Sequence, residues 1–154
     1  MSKNPQISNK LDFKKLKVFG LATNLPEHRL AWLLNKEFDW DMERAGDLIL
    51  DTDHYLIVNN SDINEVAPEV FSFPLHTFND EENKFEVDLV RNRSGAGTFL
   101  QELKHFDYLL LFHGEFDYLP ENLTLKIRKL NQVQVVVEIP VEKMKEKHLL
   151  VSYK

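Results

Sequence analysis

The spacing of apolar residues predicts an alternation of strands and helices along the chain. Residues 26–38 carry Leu30, Leu33, Leu34 and Phe38 at helical spacing, and Pro26 suits the first turn of a helix. The same spacing predicts helices over residues 99–106 and 120–131. Alternating or continuous apolar positions predict strands at residues 16–22, 48–50, 55–59, 70–78, 85–90, 107–112, 133–137 and 149–153.

Two of these strands are joined by a short polar turn at residues 79–83 and predict a hairpin. Pro74 lies inside the first of them and favours a strand at the edge of a sheet. In the second, Phe85, Val87 and Leu89 alternate with Glu86, Asp88 and Val90. The strands therefore look hairpin-linked rather than separated throughout by helices. The fold class that follows is α+β, with a mainly antiparallel sheet and two or three helices on one face, and a ferredoxin-like order is one arrangement of this kind.

The chain length of 154 residues fits one domain with its own core. Residues 1–14 are polar and basic and lack periodic apolar positions, so we expect a disordered leader at 1–14 and a single α+β domain at 15–154. No apolar run typical of a secretory signal follows the leader, and no stretch approaches the roughly 20 apolar residues that span a bilayer. These features predict a cytoplasmic protein without a membrane partner.

Composition and charge exclude several classes of function. The chain has no cysteine, which removes thiol catalysis, thiolate metal sites and disulfides. Its net charge of −6 is unevenly distributed, because residues 25–90 carry 16 acidic and four basic side chains. An acidic middle argues against a nucleic-acid partner. An acidic surface can instead meet a basic protein.

A first group of candidate chemical residues follows the predicted strand at 107–112. His113, Glu115 and Asp117 occupy alternating positions, and alternating side chains of an extended chain point the same way. They would then converge on one hard or borderline metal ion. The alternative is an ordinary solvated turn, in which Gly114 breaks the alternation.

A second group lies in the loop at residues 91–97. Two arginines there can pair with an anion, and glycine-permitted turns before a helix can present backbone N–H groups to it. The alternative is that glycine and serine only form the turn, with Ser94 or Thr98 capping the next helix. The loop lacks the ending of a nucleotide-binding P-loop. The candidate anion ligands are Arg91, Arg93, Ser94, Gly95 and Gly97.

Several segments resemble the IPExxxVDY family, small bacterial proteins of no established activity. They are residues 107–115 (DYLLLFHGE), the helix through Leu130, residues 133–140 and the closing KHLLV, together with RLAWLLNK at 29–36. The literal name motif is not spelled, since Ile139-Pro140 is followed by Val141 and Glu142. The resemblance implies a compact domain and no reaction.

Residues 107–140 are also similar to half of an ACT domain, a ligand-binding ferredoxin-like module. The similar pattern is a strand ending near Gly114, a loop with Asp117, a helix, and a valine-rich strand ending at Ile139-Pro140. This similarity implies binding of a small ligand.

The sequence leaves two functions open. The first is a non-enzymatic interaction or regulatory module, whose partner is another protein or a second copy of the chain. The alternative is a domain that binds a small ligand, either an anion, an amino acid or a metal, with hydrolysis as a further option. Neither of these two functions requires a cofactor, and we expect none.

Overall fold

The structure is a computed structural model that describes residues 13–51, 70–94, 97–147 and 150. It contains two α-helices, α1 (Glu27–Phe38) and α2 (Leu123–Arg128). The strands are β1 (Leu16–Thr23), β2 (Glu43–Arg44), β3 (Leu48–Asp51), β4 (Val70–Phe73), β5 (Leu75–Asp80), β6 (Phe85–Arg91), β7 (Arg93–Ser94), β8 (Gly97–Thr98), β9 (Tyr108–His113) and β10 (Val133–Ile139).

Six strands form one antiparallel sheet in the order β10-β1-β9-β6-β5-β2. Four of them, taken with the helices, run through the chain as β1-α1-β6-β9-α2-β10. Their spatial order β10-β1-β9-β6 is the order of a ferredoxin-like sheet, which β5 and β2 extend at one side. The predicted α+β class with a mainly antiparallel sheet is confirmed.

Both α-helices pack on the same face of this sheet. Helix α1 buries Leu30, Ala31 and Leu34, and α2 buries Leu123 and Ile127. Helix α1 begins after Pro26, whose carbonyl accepts the N–H groups of residues 29 and 30, and ends at a left-handed Asp39. Together with one set of strand side chains the helices form a first core, whose strand members are Phe19, Leu21, Phe85, Val87, Leu89, Tyr108, Leu110, Phe112, Val133 and Val136.

The opposite face is covered by irregular chain and by a second, two-stranded sheet of β3 and β4. Its core includes Leu16, Val18, Val90, Leu109 and Leu111 from the large sheet, against Phe73, Phe99, Leu100, Val141 and Met144. Both faces of the large sheet are therefore buried. Side chains on either face of a central strand can therefore be buried, including those on the face that the alternating pattern marks as polar.

Asn92 organises much of the irregular cover. Its side chain is completely buried, its Nδ2 donates to the carbonyls of Leu103 and Phe106, and its Oδ1 accepts the N–H of Leu100. Its backbone N–H donates to the carbonyl of Asp107 and its carbonyl accepts the N–H of Phe99. One asparagine thus fixes the path of residues 99–107 across the sheet.

The structure corrects several predicted boundaries. Pro74 divides the predicted strand at 70–78 between two sheets, because β4 pairs with β3 and β5 pairs with β6. The predicted helix at 99–106 is a single 3₁₀ turn, Gln101–Leu103. The predicted helix at 120–131 is shorter, since Asn122 is left-handed and α2 begins only after it.

Other predicted elements lie partly or wholly outside the described residues. Phe13 and Lys14, inside the expected leader, belong to the 3₁₀ turn Phe13–Lys15, and Phe13 packs against the second core. Residues 1–12 lie outside the described residues. The predicted strand at 149–153 is wrong at Leu150, which is helical and donates its N–H to the carbonyl of Lys147. The rest of that segment and the strand at 55–59 are outside the described residues.

Candidate functional site

A polar cleft lies at the end of the sheet where β1 and β6 finish and β9 begins. It has a volume of about 340 Å³. The first turn of α1 follows directly from the loop that forms one wall of the cleft. The lining residues are Thr23, Asn24, Leu25, Arg91, Arg93, Asp107 and Tyr108.

Arg91, the last residue of β6, is held on three sides. Its Nε donates to the Arg93 carbonyl at 3.0 Å, and its Nη1 lies 3.1 Å from Oε2 of Glu27 in the first turn of α1. Its guanidinium centre lies 6.0 Å from the Tyr108 ring centroid. Burial raises the pKa of Glu27, but its own backbone N–H and the Arg91 guanidinium outweigh burial, so the pKa is lowered and Glu27 stays ionised. Arg91 is therefore a fixed cation.

Arg93 is held more loosely. Its Nη1 lies 3.7 Å from Oδ1 of Asp107, and both side chains are substantially exposed. An exposed ion pair at this distance contributes little stability. The other carboxylate oxygen of Asp107 accepts the N–H of Thr23 at 2.9 Å. Arg93 can therefore turn toward a ligand at small energetic cost, while Asp107 stays anchored.

The two hydroxyl groups of the cleft both form hydrogen bonds to the backbone around it. The Thr23 hydroxyl donates to the carbonyl of Gln132 and accepts the N–H of Leu25. Thr23 lies on the same face of β1 as Phe19 and Leu21, so its side chain is turned inward and buried. The Tyr108 hydroxyl donates to the Leu25 carbonyl, and burial raises the pKa of Tyr108 to about 12. Neither hydroxyl is prepared to act as a nucleophile.

The structure brings together part of the predicted anion group. Arg91 and Arg93 line the same cleft, but Ser94 and Gly97 pair with each other in the β7–β8 hairpin and do not line it. Gly95 lies outside the described residues. Gly97 therefore lies in a hairpin strand rather than at the start of a helix. Sequence reasoning missed Asp107, Thr23 and Tyr108, which are separated from the arginines along the chain and carry no local motif.

The predicted metal group is divided by the structure. Gly114 has a φ of +141°, which breaks the alternation after His113. Glu115 then forms an ion pair with Lys15 at 2.9 Å, and Asp117 lies in the 3₁₀ turn Phe116–Tyr118. Among the residues that the structure describes, the His, Asp and Glu side chains with ligand atoms within 4.8 Å of one another are instead Glu86, Asp88 and His113.

Comparison with protein-family models, with curated proteins and with solved structures finds no match to this chain. The resemblances to the IPExxxVDY family and to half of an ACT domain therefore stay predictions. No helix in the described part of the chain is both long and apolar enough to cross a membrane.

Proposed function

We propose that the chain is a non-enzymatic regulatory module that binds a small anion, carrying a carboxylate or phosphate group, in the cleft at Arg91 and Arg93. The observation that carries the proposal is that two guanidinium groups from consecutive strands, β6 and β7, line one cleft. Guanidinium groups suit carboxylate and phosphate because their N–H groups form paired, charge-assisted hydrogen bonds.

The charges of the cleft support a small anion over a large one. Arg91 is paired with the ionised Glu27 and Arg93 with Asp107, so the charges around the cleft balance, which suits a small ligand better than a polyanion. Arg91 is positioned in advance by Glu27, and Arg93 is free to swing because its contact with Asp107 is 3.7 Å long. Asp107 can also accept an ammonium group of the same ligand. The engaged hydroxyls of Thr23 and Tyr108 favour binding without reaction.

We expect inorganic phosphate or succinate to raise the melting temperature in a saturable way. A ligand at a hundred times its dissociation constant adds about 2.7 kcal/mol to the free energy of unfolding. Arg93→Ala should cut the shift at a fixed ligand concentration by more than half, because it removes the mobile cation. Arg128→Ala, an exposed arginine at the end of α2, is the matched control and should keep the full shift. Equal shifts in the wild type and Arg93→Ala would refute the proposed site.

A second candidate function is self-association through β10. Within the described part of the chain β10 is one edge of the large sheet, and Val135 and Val137 are 40% and 42% exposed there. An antiparallel pair of β10 strands centred on Val136 would place Val135 opposite Val137 and Gln134 opposite Glu138. No like charges would then face each other, and an unguarded edge strand readily pairs with a second copy.

Val137→Lys should therefore shift the chain toward monomer, because two lysines would be brought close to the symmetry axis of the pair. Sedimentation velocity at micromolar concentration measures this change. Leu125→Lys is the control, since Leu125 is at least as exposed as Val137 but lies on α2 rather than in the edge strand. A wild-type chain that sediments as a monomer would contradict the pairing through β10 and leave the anion cleft unaffected.

A further inference from the structure

A histidine and two carboxylates converge at the other end of the same strands. Glu86 and Asp88 alternate along β6 and share one face, and His113 ends the neighbouring strand β9. The register pairs Glu86 with His113, which brings all three side chains together. Their ligand atoms lie within 4.8 Å of one another.

Asp88 is the least accessible of the three. It is 1% exposed, and a carboxylate at that depth is costly unless charge and hydrogen bonds compensate it. Its Oδ1 accepts the Thr77 hydroxyl at 2.6 Å, while its Oδ2 lies 3.2 Å from Nε2 of His113. The threonine thus fixes the carboxylate so that its second oxygen points at the imidazole, as outer hydrogen bonds orient metal ligands.

We propose that Glu86, Asp88 and His113 form a binding site for a divalent transition ion of the zinc class. Ligand atoms about 2.0–2.1 Å from a tetrahedral ion are separated from one another by about 3.4 Å. The distance of 3.2 Å between Asp88 and His113 is close to that separation. Glu86, which is only partly buried, supplies the adjustable third ligand.

The charges of the group favour a divalent ion. Two carboxylates balance the charge of a divalent ion, and the imidazole nitrogen of His113 adds a third ligand atom. Mixed imidazole and carboxylate ligands suit zinc and its neighbours better than calcium or magnesium, which take oxygen ligands. The site lies at the opposite end of β6 and β9 from the anion cleft, so it does not depend on that proposal.

Titration of the metal-free full chain with zinc chloride, followed by calorimetry, tests the site. We expect one ion per chain, with affinity reduced at least tenfold in His113→Ala and in Glu86→Gln. His105→Ala and Glu115→Gln are the matched controls, because both replace an exposed side chain of the same type outside the group, and they should bind like the wild type. Glu86→Gln carries the test if His113→Ala fails to fold, which far-UV circular dichroism reports.

Three results would overturn the proposal. The first is a wild-type chain that binds no zinc at micromolar concentration. The second is a folded Glu86→Gln or His113→Ala variant that binds as tightly as the wild type. A loss of affinity in His105→Ala or Glu115→Gln equal to the loss in His113→Ala would also contradict it, since the ion would then bind elsewhere.

Discussion

Replacing Asn92 by alanine should lower the free energy of unfolding by about 3 to 5 kcal/mol. The change leaves the carbonyls of Leu103 and Phe106 and the N–H of Leu100 without their side-chain partner. A buried polar group that loses its hydrogen bond costs about 1 to 3 kcal/mol, and three groups are affected. Urea denaturation followed by circular dichroism measures the loss.

The exposed Asn131 provides the control for this change, and Asn131→Ala should remain within about 0.5 kcal/mol of the wild type. Asn92→Asp separates the two halves of the amide, because it keeps the acceptor for Leu100 but removes both donors and buries a charge. We expect it to be at least as damaging as alanine. An Asn92→Ala variant as stable as the Asn131→Ala control would show that residues 99–107 hold their path without this side chain.

Gly114→Ala should destabilise the fold by about 2 to 4 kcal/mol. The backbone of Gly114 has a φ of +141°, a conformation that residues with a side chain rarely adopt. A methyl group there would lie 2.6 Å from Cβ and 3.0 Å from Cα of Phe85, and 3.1 Å from the Lys84 carbonyl oxygen. Backbone atoms cannot yield as the end of a flexible side chain can, so overpacking adds to the strain.

Gly46→Ala is the matched control, because nothing lies within 4 Å of a methyl group at that position. It should leave stability unchanged or raise it slightly, since alanine restricts the unfolded chain. Thermal and urea denaturation of the two variants measure the difference. If Gly114→Ala had the same melting temperature as Gly46→Ala, the turn after β9 would be able to change its conformation at no cost in stability.

The sequence pattern predicted correctly those elements in which one face is buried and the other is polar. The apolar stripe of α1 and the alternation in β6 placed both elements correctly, because burial of one face sets the period. Pro74 was interpreted as the mark of an edge strand, but it lies between β4 and β5, and β5 has neighbours on both sides, β6 and β2. The sequence could not show that the chain on the two sides of Pro74 joins different sheets, because that depends on partners distant along the chain.

The candidate sites were predicted only where their members are neighbours in sequence. Arg91 and Arg93 were found as a pair, but Asp107 comes from the far end of the segment that Asn92 organises. For the metal group, His113 was selected with Glu115 and Asp117, whereas the structure brings Glu86 and Asp88 to it. Asp88 was expected on a polar face. It is buried because distant segments cover the second face of the sheet, which no local period reveals.

The central position of β1 has a consequence for synthesis of the chain. Its two neighbours in the sheet, β9 and β10, are made last among the described strands, and β9 begins at Tyr108. At roughly 5 to 20 residues per second, the ribosome needs roughly 4 to 17 s after Thr23 to reach that residue. During this interval the apolar residues of β1 have neither of their two neighbours in the sheet. The centre of the large sheet can therefore assemble only after most of the described chain has been made.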